Sequence, residues 1–92
     1  MPKLSLHQIG LELKKIPGWS LMQGRLVKEF RFNSFPTAVI FINNMVDPVE
    51  ELDLHPEITV KYNRVTVTIF NHPAGGLTEK DFELAKRIDE LA

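Results

Sequence analysis

The sequence predicts an α+β domain, a four-stranded antiparallel sheet with helices packed on one face, in the order α-β-β-α-β-β-α. Three observations carry this. Two pairs of short β-type segments each surround a turn signal, a strongly apolar helical stretch separates the pairs, and helix-start signals open the first and last segments. Hairpins separated by a helix favour antiparallel pairing with the helices gathered on one side.

The first helix opens at Ser5, which with Gln8 three residues on matches a capping box, and Leu6, Ile9, Leu13 and Ile16 follow helical spacing. Pro17-Gly18 stops it. Trp19 to Met22 and Leu26 to Phe32 read as strands around Gln23-Gly24, with Phe30 and Phe32 on one face and Glu29 and Arg31 on the other. Ser34 caps a second helix that tolerates Pro36 in its first turn. Its stripe of Ala38, Ile42, Met45, Val49 and Leu52 is widened by Phe35, Val39 and Val46, while Ile40 and Phe41 lie towards the opposite side. That exceeds what one sheet contact needs, so the helix is expected to meet a partner subunit as well. Pro48 should kink or break it. Ile58 to Tyr62 and Val65 to Phe70 are the clearest strands, joined by Asn63-Arg64. After the loop His72-Pro73-Ala74-Gly75-Gly76, Thr78 and Asp81 open a last helix whose stripe is Phe82, Ala85 and Ile88.

A chain of 92 residues, 43% hydrophobic and 25% charged, makes one domain over 1–92. A domain of this size buries only about two thirds of its unfolded surface, which makes homo-oligomerisation an expected source of further burial. The chain has no cysteine, which excludes disulfides and thiolate chemistry. A net charge of -1 lacks the basic excess of a direct nucleic-acid binder. No run approaches the length of a membrane span, and His7 and Gln8 interrupt any signal-type apolar region, so the expected address is the cytoplasm.

The last hairpin carries the functional information. A turn at Asn63-Arg64 pairs Tyr62 with Val65, Val60 with Val67 and Ile58 with Ile69, all on an apolar face. One step further, His55 stands opposite His72 on the polar face, beside Glu57. Each histidine precedes a proline, Pro56 or Pro73, which biases its backbone towards extended geometry. Two solvated loop histidines at strand ends is the alternative that position leaves open. Acid/base chemistry suits the pair, because imidazole both donates and accepts protons near neutrality. A metal site needs a further ligand, for which Glu57 is the one close candidate, so no metal is expected. Trp19 reads first as a core or interface anchor and second as a ligand stacker. Gly75-Gly76 lacks the lysine of a P-loop and reads as a tight turn. Glu50, Glu51 and Asp53 form an acidic cluster just ahead of His55.

The stretch Glu50-Glu51-Leu52-Asp53-Leu54-His55-Pro56-Glu57, with Tyr62-Asn63 and His72-Pro73-Ala74-Gly75-Gly76 leading to Asp81, resembles the pterin-4a-carbinolamine dehydratase family. Glu50, His55-Pro56, Tyr62, His72 and Asp81 match its motif at the right spacing, and Gly18-Trp19 and Phe30-Arg31-Phe32 resemble its N-terminal half. The chain departs from it at Leu54, where the first histidine of a His-His-Pro motif belongs, and at Ile58, where a tryptophan is common.

The resemblance implies a hydro-lyase that dehydrates 4a-hydroxytetrahydropterin to quinonoid dihydropterin in tetrahydrobiopterin recycling, with neither metal nor redox cofactor. It gives His72 the main acid/base role, with His55 orienting substrate and sharing proton transfer. Glu50, Asp53, Pro56, Glu57, Pro73, Trp19 and Asp81 are the implied substrate-binding positions. The implied partners are the pterin and further copies of the chain, as a homodimer or homotetramer. Leu54 opens a second reading, a non-catalytic scaffold of dehydratase type that binds a protein as a coactivator or assembly factor.

Overall fold

Ser20–Met22 (β1) and Arg25–Arg31 (β2) form the first hairpin, and Glu57–Lys61 (β3) and Arg64–Ile69 (β4) form the second. In the computed structural model, which describes residues 2–92, they join as one antiparallel sheet in the spatial order β1-β2-β4-β3. The helices are Leu6–Leu13 (α1), Phe35–Asn44 (α2), Val46–Leu52 (α3) and Glu79–Leu91 (α4). Along β4, buried Val65, Val67 and Ile69 alternate with the more exposed Arg64, Thr66 and Thr68, as expected of a sheet covered on one face. Leu26 and Phe30 of β2 join that buried face, together with Ala38, Phe41 and Met45 from the α2 region and Phe82, Leu84, Ala85 and Ile88 of α4.

The capping signals act where the sequence places them. Ser5 and Gln8 bond reciprocally at the start of α1, and Ser34 accepts from the Thr37 N–H at the start of α2. Helix α1 ends at Leu13 rather than at Pro17-Gly18, although Ile16 beyond it is buried. Residue Leu6 is almost wholly exposed and takes no part in the predicted stripe.

The second helix is two helices. The break falls at Met45, three residues ahead of Pro48, so Pro48 sits in the first turn of α3. The first turn of a helix has no intrahelical use for its N–H groups, which lets proline stand there at little cost. The break also turns the surface. Phe41 enters the core, against its expected outward position, while Phe35, Ile40 and Val46 are exposed.

The second hairpin is in a different register from the predicted one. Val60 faces Val65 and Ile58 faces Val67, and the turn is Tyr62-Asn63 rather than Asn63-Arg64. Tyr62 adopts φ 53°, and Asn63 is held by the residue just after β2: its Nδ2 donates to the Phe32 carbonyl, and its own carbonyl accepts from the Phe32 N–H. Those long-range bonds put Asn63 at the tip. A shift of two residues preserves the face of every side chain, because the strand period is two. The apolar set therefore still points to the helices. Ile58 and Val60, however, lie on the edge strand and remain about 36% and 42% exposed.

Candidate active site

Both histidines sit at the open end of the second hairpin, on the chain entering β3 and the chain leaving β4. In the observed register His55 and His72 are no longer directly opposed, since β3 pairing starts at Glu57 opposite Thr68. They still converge. Both line one cavity of about 330 Å³, together with Asp53, Leu54, Phe70, Asn71 and Pro73.

Two further hollows adjoin it through shared walls. One of about 260 Å³ is bounded by Asp53, Leu54, Asn71, Pro73, Ala74 and Lys80. Another of about 300 Å³ includes Glu50, Leu54, His55, Pro56 and the apolar side chains of α2, α3 and Ile58. Leu54 is common to all three and only 7% exposed. Leu54, where the sequence departs from the motif it resembles, is thus an apolar wall shared by the three hollows.

The residues before His55 are shaped by the end of α3. Asp53 caps that helix in the left-handed conformation, φ 51° and ψ 49°, and its N–H returns to the Val49 and Glu50 carbonyls. This brings Asp53 Oδ1 to 3.8 Å from His55 Nε2, with both side chains largely exposed.

The loop after β4 is held from below. Asn71 accepts from the Ala74 N–H and donates to Asp81, and backbone bonds from Gly75 to His72 and from Gly76 to Asn71 close two turns. Gly75 carries φ 75°, a conformation that costs glycine nothing and most residues a good deal. Asp81 is wholly buried at the start of α4. Its Oδ2 accepts from the Thr78 N–H at 2.7 Å, from the Thr78 hydroxyl at 2.9 Å and from Asn71 Nδ2 at 3.3 Å. It therefore ties the His72 loop to α4 and borders none of the three hollows.

Of the other predicted site residues, Glu50, Asp53, Pro56 and Pro73 line the hollows, while Glu57 lies outside them on the exposed face of β3. Trp19 is placed elsewhere. It is 7% exposed, packs edge-on against Phe30 and donates from Nε1 to Asp89, which also receives Lys28 Nζ at 2.8 Å. That cluster belongs to the C-terminal half of α4, whereas the histidine loop leads into its N-terminus. Tyr62 is at the hairpin tip, stacked on Phe35 and roughly 20 Å along the strand from His55.

Residues that the sequence reading did not single out complete the cavity. Phe70 and Asn71 line it, and Arg25 of β2 reaches over the Phe70 ring. Asn71 carried a signal, an Asx-type turn residue ahead of Pro73, whereas the Arg25–Phe70 pairing depends on the β2–β4 register. Among the described residues no group of three or more His, Asp or Glu side chains is placed to hold a metal ion, and no helix is long and apolar enough to cross a membrane.

Comparison with known families shows where the chain belongs. Residues 2–91 match the model of the family described as pterin 4 alpha carbinolamine dehydratase. The chain belongs to that family. Curated relatives carry the name "Putative pterin-4-alpha-carbinolamine dehydratase". The protein from Picosynechococcus sp. is 42% identical over 89 residues, covering 97% of each chain. That from Metallosphaera sedula is 46% identical over 92 residues, covering 99% of this chain and 95% of the relative. Among solved structures, the transcriptional coactivator/pterin dehydratase from Brucella melitensis superposes with a TM-score of 0.93 at 32% identity, covering 98% of both chains. A pterin dehydratase-like protein identified as a RuBisCO assembly factor in the alpha-carboxysome gives 0.65 at 27% identity, covering 80% of this chain and 86% of that one. This pterin dehydratase family member thus has the α+β fold its sequence predicts, with the histidine cavity at one end of the sheet.

Proposed function

We propose that this protein dehydrates 4a-hydroxytetrahydropterin to quinonoid dihydropterin, the step that regenerates usable pterin after aromatic amino-acid hydroxylation. One observation carries the reading: His55 and His72, from the two chain segments at the open end of the hairpin, line a single cavity with Asp53 in a member of the pterin dehydratase family. The chemistry asks for little more. The ring nitrogen beside C4a pushes out the hydroxyl as a proton arrives on it, water leaves, and a ring N–H proton is released. His72 protonates the departing hydroxyl, and His55 orients the pterin and shares proton transfer. Asp53 and Glu50 accept hydrogen bonds from the pterin N–H edge or from the imidazoles, and Pro56 and Pro73 shape the walls.

Leu54 sets the rate. A single acid/base group contributes about 10²–10⁴-fold, so a site lacking one histidine retains part of its acceleration. The test is the absorbance-monitored dehydration of freshly generated 4a-hydroxytetrahydropterin, for the natural chain, His72→Ala and Leu54→His, against the uncatalysed rate. The natural chain is expected to accelerate the reaction, His72→Ala to lose most of that acceleration, and Leu54→His to gain at least tenfold. Unchanged turnover in His72→Ala would sink the assignment of His72.

The buried Leu54 also favours a second reading, a non-catalytic scaffold that binds a protein; of the two structural relatives, one is named a transcriptional coactivator as well as a pterin dehydratase and the other a RuBisCO assembly factor. A natural chain without acceleration, with activity appearing in Leu54→His, selects it.

We further propose that copies of the chain pair through β3. This strand is one edge of the sheet, and Ile58 and Val60 are exposed on its apolar side. Antiparallel self-pairing about Thr59 sets Glu57 of each copy opposite Lys61 of the other, a self-complementary arrangement that covers the edge. Sedimentation should show a dimer or larger species that Val60→Asp converts to monomer. An unchanged mass for Val60→Asp removes β3 from the interface.

A further inference from the structure

His72 has an orientation problem that its own loop does not solve. It is exposed, it lies on a loop, and the hydrogen bonds that fix that loop run through Asn71, Asp81 and the backbone, none of them using the imidazole. A group that delivers a proton to a chosen atom must be held in a narrow range of angles, and its tautomer is ordinarily set by what its second nitrogen bonds to. Here the ring meets an aromatic side chain instead. The Phe70 and His72 rings lie 4.5 Å apart between centroids at 74° to each other, an edge-on contact of the kind aromatic pairs prefer.

Phe70 is itself held. It follows β4 on the polar face of the sheet, and the β2–β4 register, which sets Leu26 against Ile69, brings Arg25 to its level. The Arg25 guanidinium carbon is 5.5 Å from the Phe70 centroid, within the range of cation–π attraction. The half-buried arginine and phenylalanine thus make a cross-strand pair that ends against the imidazole. The stack runs from a regular strand, through the end of a second strand, to a loop residue.

We propose that Phe70 is the positioning residue for His72, and that Arg25 holds Phe70 in place. The kinetic part rests on His72 being the acid/base group of the proposed dehydratase, while the orientational part does not. Phe70 shares the cavity wall with both histidines, so its loss loosens the proton donor without emptying the pocket of its polar groups.

The experiment compares Phe70→Leu, Phe70→Tyr and Arg25→Met with the natural chain in two measurements. The first is the χ1 distribution of His72 in the free protein, from three-bond NMR couplings on labelled samples. The natural chain and Phe70→Tyr are expected to show one dominant rotamer, Phe70→Leu an average over rotamers, and Arg25→Met an intermediate state. The second is dehydration kinetics, where Phe70→Leu should lower kcat about tenfold with KM changed less than twofold, and Phe70→Tyr should restore it. A single His72 rotamer in Phe70→Leu overturns the proposal whatever the turnover. A raised KM at full kcat overturns it as well, by making Phe70 a substrate contact. A natural chain that fails to accelerate dehydration, with the couplings as expected, defeats the dehydratase reading and leaves the positioning of His72 supported. Arg25→Met perturbs only the strand surface and keeps the comparison informative if Phe70→Leu folds poorly.

Discussion

Replacing Asp81 by alanine should be among the most damaging single changes outside the apolar core. The Asp81 carboxylate is wholly buried and its Oδ2 accepts from the Thr78 N–H, the Thr78 hydroxyl and Asn71 Nδ2. Loss of the helix-start interaction costs about 1 kcal/mol, by analogy with the removal of N-cap side chains. Stranding the buried Thr78 hydroxyl adds about 1–3 kcal/mol, since an unsatisfied buried donor bears its full desolvation penalty. The expected total is about 2–4 kcal/mol, against a global stability of about 5–15 kcal/mol for a domain of this kind. The variant should therefore fold with a melting temperature lower by at least about 10 °C.

Urea denaturation followed by the fluorescence of Trp19, the only tryptophan and a buried one, measures this directly. The midpoint should fall at an unchanged slope. Asp81→Asn, which keeps an acceptor oxygen, should lose less. Because Asn71 also loses a partner, dehydration by the folded Asp81→Ala variant should fall too, through a looser His72 loop. A stability loss under about 0.5 kcal/mol would refute the reasoning, by showing that the buried bonds to Thr78 contribute almost nothing net.

Other changes separate the site from its supports. Trp19→Phe removes the Nε1 donor to Asp89 and should cost about 1 kcal/mol by circular-dichroism melts while leaving KM for the pterin unchanged, because the indole borders no part of the histidine cavity. A raised KM would put Trp19 back among the substrate contacts. Asp53→Gly relieves a left-handed residue and should stabilise the fold by about 0.5–1 kcal/mol in urea titrations. Turnover of the same variant should drop severalfold, because the carboxylate 3.8 Å from His55 is gone. Full activity there would exclude Asp53 from the reaction.

Much of this protein is local in origin and so could be read from the sequence. Ser5 with Gln8, Ser34, and Thr78 with Asp81 mark helix starts because a cap joins groups only three residues apart. The faces of β3 and β4 follow from a period of two, which is why the apolar set of Ile58, Val60, Val65, Val67 and Ile69 survives a register error of two residues. The meeting of His55 and His72 at one end of the hairpin survives for the same reason. The departure at Leu54 was visible in the residues themselves.

What the tertiary structure decided depends on contacts between residues far apart in the chain. The register was set by Asn63 bonding to Phe32, thirty-one positions away, which put Tyr62-Asn63 at the tip. The fate of Trp19 was set by Asp89, seventy positions on, which drew the indole to the far half of α4. Pro48 announced a break in the apolar helix, but its position at Met45 followed from which residues the core would take, Phe41 among them. The pairing of Arg25 with Phe70, and so the support behind His72, exists only because β2 lies beside β4. Caps and alternation are satisfied within a few residues and leave their mark in the sequence. Register, side-chain partners across strands and the walls of a cavity are settled only when distant segments compete for the same space.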